Sequence, residues 1–168
     1  MNIIAIDPGW NGAVAFFAQD NLHSTSNCPS SREPIDMVKL IKQYNTNSNT
    51  IVYIERVWSR PYERGAFTFG KNYGIWLGIC NALDLPIVKV LPKKWQDVIG
   101  NRIPKDYQKR KQYFKRRAKA FAGSKHKVTL KNADAICIGM YAIKEIKWII
   151  KKYILLVNKL DWIYLCCI

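Results

Sequence analysis

The sequence predicts an α/β protein: a mixed sheet whose first strands are antiparallel and whose later strands are parallel, flanked by helices. Three observations carry this. Two short β-rich runs, residues 3–6 and 13–18, are separated by the breaker-rich Pro8-Gly9-Trp10-Asn11-Gly12, a link of hairpin length. Further on, apolar strand-like runs at 51–54 and 85–91 alternate with segments of helical period. Strand pairs followed by strand–helix alternation build a sheet with helices on its faces.

Each element follows from local chemistry. Residues 19–33 are rich in Asn, Ser and Thr and support at most a weak third strand. Pro34 suits the first turn of a helix over 35–44, whose apolar positions 37, 38, 40, 41 and 44 form one stripe. The run 51–54 ends at Glu55, and 58–64 is a loop. A helix is expected from about 65 to 83, a strand over 85–91, and a short helix opening at Pro92. Residues 105–122 read as a basic helix with Tyr107, Phe114, Ala118 and Phe121 on its apolar side. The last helix begins near Lys131 or Asn132.

With 168 residues, 49% of them hydrophobic, the chain is expected to form one core. Its formal charge of +15 implies a polyanionic partner, nucleic acid before an anionic membrane. The five cysteines show no C-x-x-C and no paired Cys/His spacing, which speaks against a zinc site or a disulfide framework and fits a reducing cytoplasm. Asp7-Pro8-Gly9 interrupts the apolar start, so no signal peptide is expected. The C-terminal 148–168 is apolar, but Lys151, Lys152, Asn158, Lys159 and Asp161 interrupt it, which points to a helical extension packing on the domain or a partner chain rather than a membrane anchor.

Functional groups of such sheets collect outside the carboxyl ends of strands. Asp7 and Glu55 each stand at one. Asp134 lies between Ala133 and Ala135 on a helix that otherwise packs apolar residues. It is either a charge favoured by the helix dipole or a metal ligand that its small neighbours let approach the sheet. Hard divalent cations take oxygen ligands and assist phosphoryl transfer, so three separated carboxylates on a basic chain suggest a nuclease. An Asp-x-Gly turn between strands also occurs in actin-like ATPases, but 168 residues are few for their paired domains, and no second phosphate loop is evident.

The segments "IAIDPGWNGAVA", "VYIERVWSRP", "FTFGKNYGIWLGI", "VLPKKWQ" and "NADAICIGM", in this order, resemble the RuvC-type Holliday junction resolvases, in particular their compact phage and viral branch. The similarity covers most of residues 1–142, leaving 143–168 as a C-terminal helical extension of the same domain. It implies an RNase H-like fold, a homodimer, and Mg²⁺- or Mn²⁺-dependent symmetric nicking of four-way DNA junctions in the cytoplasm of a bacterial or virus-infected cell. Neither a membrane nor a small-molecule substrate is expected. Asp7, Glu55 and Asp134 match three of the family's four metal-binding acids. The fourth, three or four residues before the last aspartate, falls here on Leu130 or Lys131, which leaves a second metal in question and a junction-binding protein with weak or no cleavage as the alternative. If Lys131 faces the metals, its ammonium competes with a second cation. His126, eight residues before Asp134, is read as a solvated side chain rather than a ligand.

The DNA surface is expected on the stretch 105–127, which holds ten Lys and Arg against Asp106 alone. Its candidates are Lys109, Arg110, Lys111, Lys115, Arg116 and Arg117, with Lys131 beyond. Trp58 stands three residues after Glu55, where related resolvases carry an aromatic that wedges into the junction centre. Arg64 and Lys71 are placed to flank the scissile phosphate, whereas Phe67, Phe69, Tyr73 and Trp76 are expected in core or dimer contacts.

Overall fold

The computed structural model describes residues 1–29, 31, 33–44, 49–56 and 65–165, with side chains as far as 157. Trp58 and Arg64 lie outside them. Five strands and five helices follow in the order β1 (Asn2–Ile6), β2 (Ala13–Ala18), β3 (Asn21–Asn27), α1 (Pro34–Lys42), β4 (Thr50–Glu55), α2 (Ala66–Ala82), β5 (Ile87–Val90), α3 (Pro92–Ile99), α4 (Tyr107–Ala122) and α5 (Ala133–Leu165). The sheet order is β3-β2-β1-β4-β5. β1 pairs antiparallel with β2 and parallel with β4, and β5 continues the parallel half. The expected mixed sheet is therefore present. β3 is a full strand paired with β2, its polar residues carrying the outer edge.

Alternation along the central strands divides two cores. Ile4, Ile6, Val52 and Ile54 point to one face, covered by α1 and α2 through Met37, Leu40, Ile41 and Trp76. Ile3, Ala5 and Tyr53 point to the other, covered by α3, α4 and α5 through Trp95, Phe114, Ala133 and Ile136. Eight buried alanines serve this second core and none the first. Gly139 of α5 sits against the Phe17 ring so closely that a Cβ there would come within 2.0 Å of it.

One expectation about a helix face is corrected, and a second is narrowed from core or dimer contacts. On α4 the buried stripe is Phe114, Ala118 and Ala122, while Tyr107 and Phe121 are exposed; this shifts the apolar face by a fraction of a turn toward small residues that admit α5. On α2, Trp76 is buried, but Phe67 in the first turn is 84% exposed and is no core residue. α5 runs unbroken past residue 142. Beyond Ile143 its apolar side chains Trp148, Ile149, Ile150 and Tyr153 are exposed. Among the described residues no helix is long and apolar enough to cross a membrane.

Candidate active site

The three expected acids arrive from three elements. In the β1/β4 register Ile6 is opposite Ile54, so Asp7 and Glu55 follow as the next pair across two parallel strands. Both share the parity of Ala5 and Tyr53 and so lie on the side that α5 covers. Asp134 comes down on them from the first turn of α5. Ala133 and Ala135, both fully buried, permit that approach.

Polar contacts hold each carboxylate's backbone in place. The Gly9 amide donates to Asp7 Oδ1 at 3.0 Å. Gly12 closes the loop where any Cβ would meet the Asp7 carbonyl oxygen at 2.1 Å, so only glycine fits. From α2, the buried Asn72 amide donates to the Pro8 carbonyl, tying the loop to that helix. Glu55 Oε1 accepts from the indole Nε1 of Trp95 at 2.8 Å, and that buried ring packs edge-on against Phe114. Asn132 organises the start of α5: its Oδ1 accepts from the Thr129 amide, its Nδ2 donates to Thr25 of β3, and its carbonyl accepts from the Ile136 amide.

The electrostatics are those of acids short of positive charge. Burial, then the Asp134 charge, push the Asp7 carboxyl up to about 6. Glu55 is pushed to about 8 by burial and the Asp7 charge, although the Trp95 bond pulls the other way. Lys111 of α4 donates to Asp134 Oδ2 at 2.5 Å. Burial works against its ammonium, but the Asp134 charge and bond prevail and its pKa is raised. Asp134 Oδ1 is buried with no hydrogen-bond partner among the described residues. The nearby Cys28 thiol is pushed up to about 12 by burial and the Asp7 charge, so it offers no thiolate.

A donor set of carboxylate oxygens suits a hard divalent cation, and the unpartnered Asp134 Oδ1 is the kind of donor such an ion takes. Among the described residues no three Asp, Glu, His or Cys side chains are grouped so as to hold one ion together. An ion there would take one or two carboxylates and complete its shell with water, the usual habit of Mg²⁺.

The other expected site residues spread outward from the acids. Lys109 and Arg116 line one shallow cavity of about 490 Å³ on α4, with Pro104, Gln108 and Gln112. The Arg110 guanidinium lies 5.8 Å from the centre of the Tyr107 ring. Lys115 is half-buried. Arg117 is committed elsewhere, its Nε and Nη2 both donating to the Ile99 carbonyl. Lys131 is exposed on the turn before α5, without an ion pair to the acids among the described residues; the cation that meets them is Lys111. Lys71 lies on α2 beside Trp10 and Phe67.

Sequence reasoning missed the supporting shell of Trp95, Asn72 and Asn132, and the contact Lys111 makes. For Lys111 a signal existed: it precedes Phe114 by three residues and Ala118 by seven, which puts it on the buried side of α4.

A five-stranded mixed sheet with this order, flanked by helices and with acids at the ends of two parallel strands, is the RNase H-like architecture. No protein-family model and no curated protein matches the chain. Among solved structures its fold is similar to that of RuvC from Thermus thermophilus in complex with Holliday junction substrate, with a TM-score of 0.61 at 15% identity, covering 84% of this chain and 91% of that one. RuvC of the same organism solved separately gives a TM-score of 0.61 at 16% identity, with 84% and 92% covered. The fold of this chain is RuvC-like.

Proposed function

We propose that this protein is a structure-specific endonuclease that nicks four-way DNA junctions symmetrically, with Asp7, Glu55 and Asp134 as the ligands of Mg²⁺ or Mn²⁺. The observation that carries the reading is that the ends of β1 and β4 and the first turn of α5 bring Asp7, Glu55 and Asp134 near enough for their charges to raise the proton affinity of Asp7 and Glu55, beside a helix dense in Lys and Arg. A similar fold solved with Holliday junction substrate supports branched DNA as the partner. A divalent ion, when bound, supplies Lewis-acid polarisation of a phosphoryl oxygen and an activated water.

The residues of the chain do the rest. Burial, and then neighbouring negative charge, raise the proton affinity of Asp7 and Glu55, and an arriving positive charge lowers it. Trp95 fixes the direction in which Glu55 presents its free oxygen. Lys111, freed from Asp134, is within reach of a phosphate at the same place. Lys109 and Arg116 position the duplex arms through phosphates, without reading sequence. Nicks at two symmetric positions of a junction take two active sites, hence a homodimer. The nuclease unit is assigned to residues 1–142, with 143–168 as its helical extension and the cytoplasm as its place of action.

The runner-up is a junction-binding protein with weak or no cleavage. It is favoured by the Lys111 ion pair on Asp134 and by Lys131 standing where a fourth acid is expected. One experiment separates the two. End-labelled four-way junction and matched duplex are incubated with protein and Mg²⁺ or Mn²⁺. Paired nicks in the junction alone support the nuclease; tight binding of an intact junction supports the binder, and equal nicking of duplex rejects junction specificity.

A further inference from the structure

α5 passes through two environments with one sequence pattern. Ile136, Gly139 and Ile143 lie against the sheet, at steps of three and four residues. Ile146, Ile150, Tyr153 and Val157 continue those steps beyond it, and the sequence keeps them at Leu160 and Tyr164. Apolar residues that recur about every 3.5 residues form the seam of a coiled coil. Here the seam outlasts its cover. Ile146 still touches the core, but Ile150 is 53% and Tyr153 67% exposed, and Ile149, Ile154 and Leu156 beside them are exposed too. Six large side chains about half exposed present a patch of roughly 500 Å², more than scattered surface hydrophobics require. Two such patches face to face cover about 1,000 Å², the size at which a specific interface begins.

We propose that this seam is an interface with a second copy of the chain, the two α5 extensions pairing along Ile150, Tyr153 and Val157 about a twofold axis. The stripe carries no charge, so a copy of itself complements it. β-branched residues at alternate seam positions, Ile143, Ile150 and Val157, suit two-stranded pairing. An anionic lipid surface fits less well, because the lysines that would meet its headgroups are engaged elsewhere. The Lys144 ammonium donates to the Val98 carbonyl at 3.3 Å, Lys147 pairs with Asp20 at 2.8 Å, and Lys152 lies 5.2 Å from the centre of the Trp148 ring, on the side away from the seam. The contact is made outside the nuclease unit assigned above and adds to whatever pairing that unit has. It holds whether or not the chain cuts DNA.

The test uses the full chain, without DNA or divalent metal and under reducing conditions, and reads the solution mass by sedimentation equilibrium. Two double variants are compared, each placing two lysines at exposed positions of the same helix. Ile150→Lys with Tyr153→Lys, on the seam, is expected to halve the mass of wild type. Trp148→Lys with Leu155→Lys, on the opposite face, is expected to leave it unchanged. In the otherwise wild-type chain, photoreactive p-benzoylphenylalanine in place of Tyr153 is expected to join two copies covalently, and in place of Lys151 to join none. A monomeric wild type, an unchanged mass in the seam variant, equal losses from both variants, or no cross-link from position 153 overturns the interface. A wild-type chain that stays monomeric and binds phosphatidylserine–phosphatidylcholine vesicles, with binding lost in the seam variant, overturns it in favour of a lipid surface.

Discussion

The two faces of the sheet are built on different principles. Under α1 and α2 the core is made of large side chains: Ile4, Ile6, Met37, Ile41, Ile54 and Trp76 fill the space and hold the helices off. Under α5 eight buried alanines stand among the large side chains, and Gly139 lets the helix backbone come down onto Phe17. The first face stabilises. The second brings a helix close enough to carry the Asp134 carboxylate to Asp7 and Glu55, and concentrating buried negative charge there lowers stability. The same sheet thus has one face filled by large side chains and another that admits a helix bearing an acid.

The sharpest break of that contrast exchanges one acid for its amide. If the proposed cation site holds, Asp134→Asn lowers junction cleavage at least about a hundredfold while junction affinity persists, because it removes the proposed ligand charge and leaves α4 alone. Ile79→Ala, in the other core, is expected to cost about 2–5 kcal/mol of stability and leave cleavage per folded molecule unaltered. Cleavage assays with denaturant melts on both variants decide between them.

Glycine substitutions probe the closeness of α5 itself. Gly139→Ala places a methyl into the Phe17 ring and is expected to destabilise by about 1–3 kcal/mol and to reduce cleavage by displacing Asp134. On the outer side of α2 a Cβ at Gly78 meets nothing, and Gly78→Ala is expected to stabilise by about 0.5–1 kcal/mol. Losses of equal size from both would remove the distinction between the faces.

The strain between the acids has a pH signature. Unfolded, Asp7 and Glu55 titrate near 3.8 and 4.5; folded, near 6 and 8. The native state holds their protons more tightly, so their contribution to stability is full below about pH 4 and is lost as pH rises through 6 to 8. Glu55→Gln, neutral throughout, is therefore expected to gain on metal-free wild type as pH rises, by little at pH 5 and by about 5 °C in melting temperature at pH 9. Added Mg²⁺ narrows the gap by stabilising wild type. A gap independent of pH would mean that Glu55 bears no such strain.

The smallest expected effects are on the proposed DNA surface. Lys109→Ala and Arg116→Ala each remove a proposed phosphate contact and are expected to weaken junction and duplex binding alike by a few fold, with a shallower salt dependence. Arg117→Ala, whose guanidinium is engaged on the Ile99 carbonyl, is expected to act on stability instead. A junction-only loss from Arg116→Ala would make it a reader of branched structure rather than a positioning contact.

Much of this was legible in the sequence where a residue contradicts its surroundings. Asp7 and Glu55 end apolar strands and Asp134 interrupts an apolar helix, so each announces itself locally, and strand parity and register then bring the first two together. What pairs with them was not legible, because it depends on how helices rotate over the sheet. Trp95 is recognisable as a core residue of α3, but its bond to Glu55 is a product of tertiary packing. The same rotation decides that Tyr107 of α4 faces outward. Apolar identity alone cannot say which side of a helix an aromatic takes when the stripe is built from alanines.

The central proposal is that a divalent cation binds among Asp7, Glu55 and Asp134 on the α5 side of the sheet, on one or two of the carboxylates and water. The most direct measurement is anomalous diffraction from crystals soaked in Mn²⁺. The account predicts a peak at coordination distance from Asp7 and at least one of Glu55 and Asp134, with the Lys111 ammonium withdrawn from Asp134. Absence of any peak among the three acids, with Lys111 still bonded to Asp134, would contradict it.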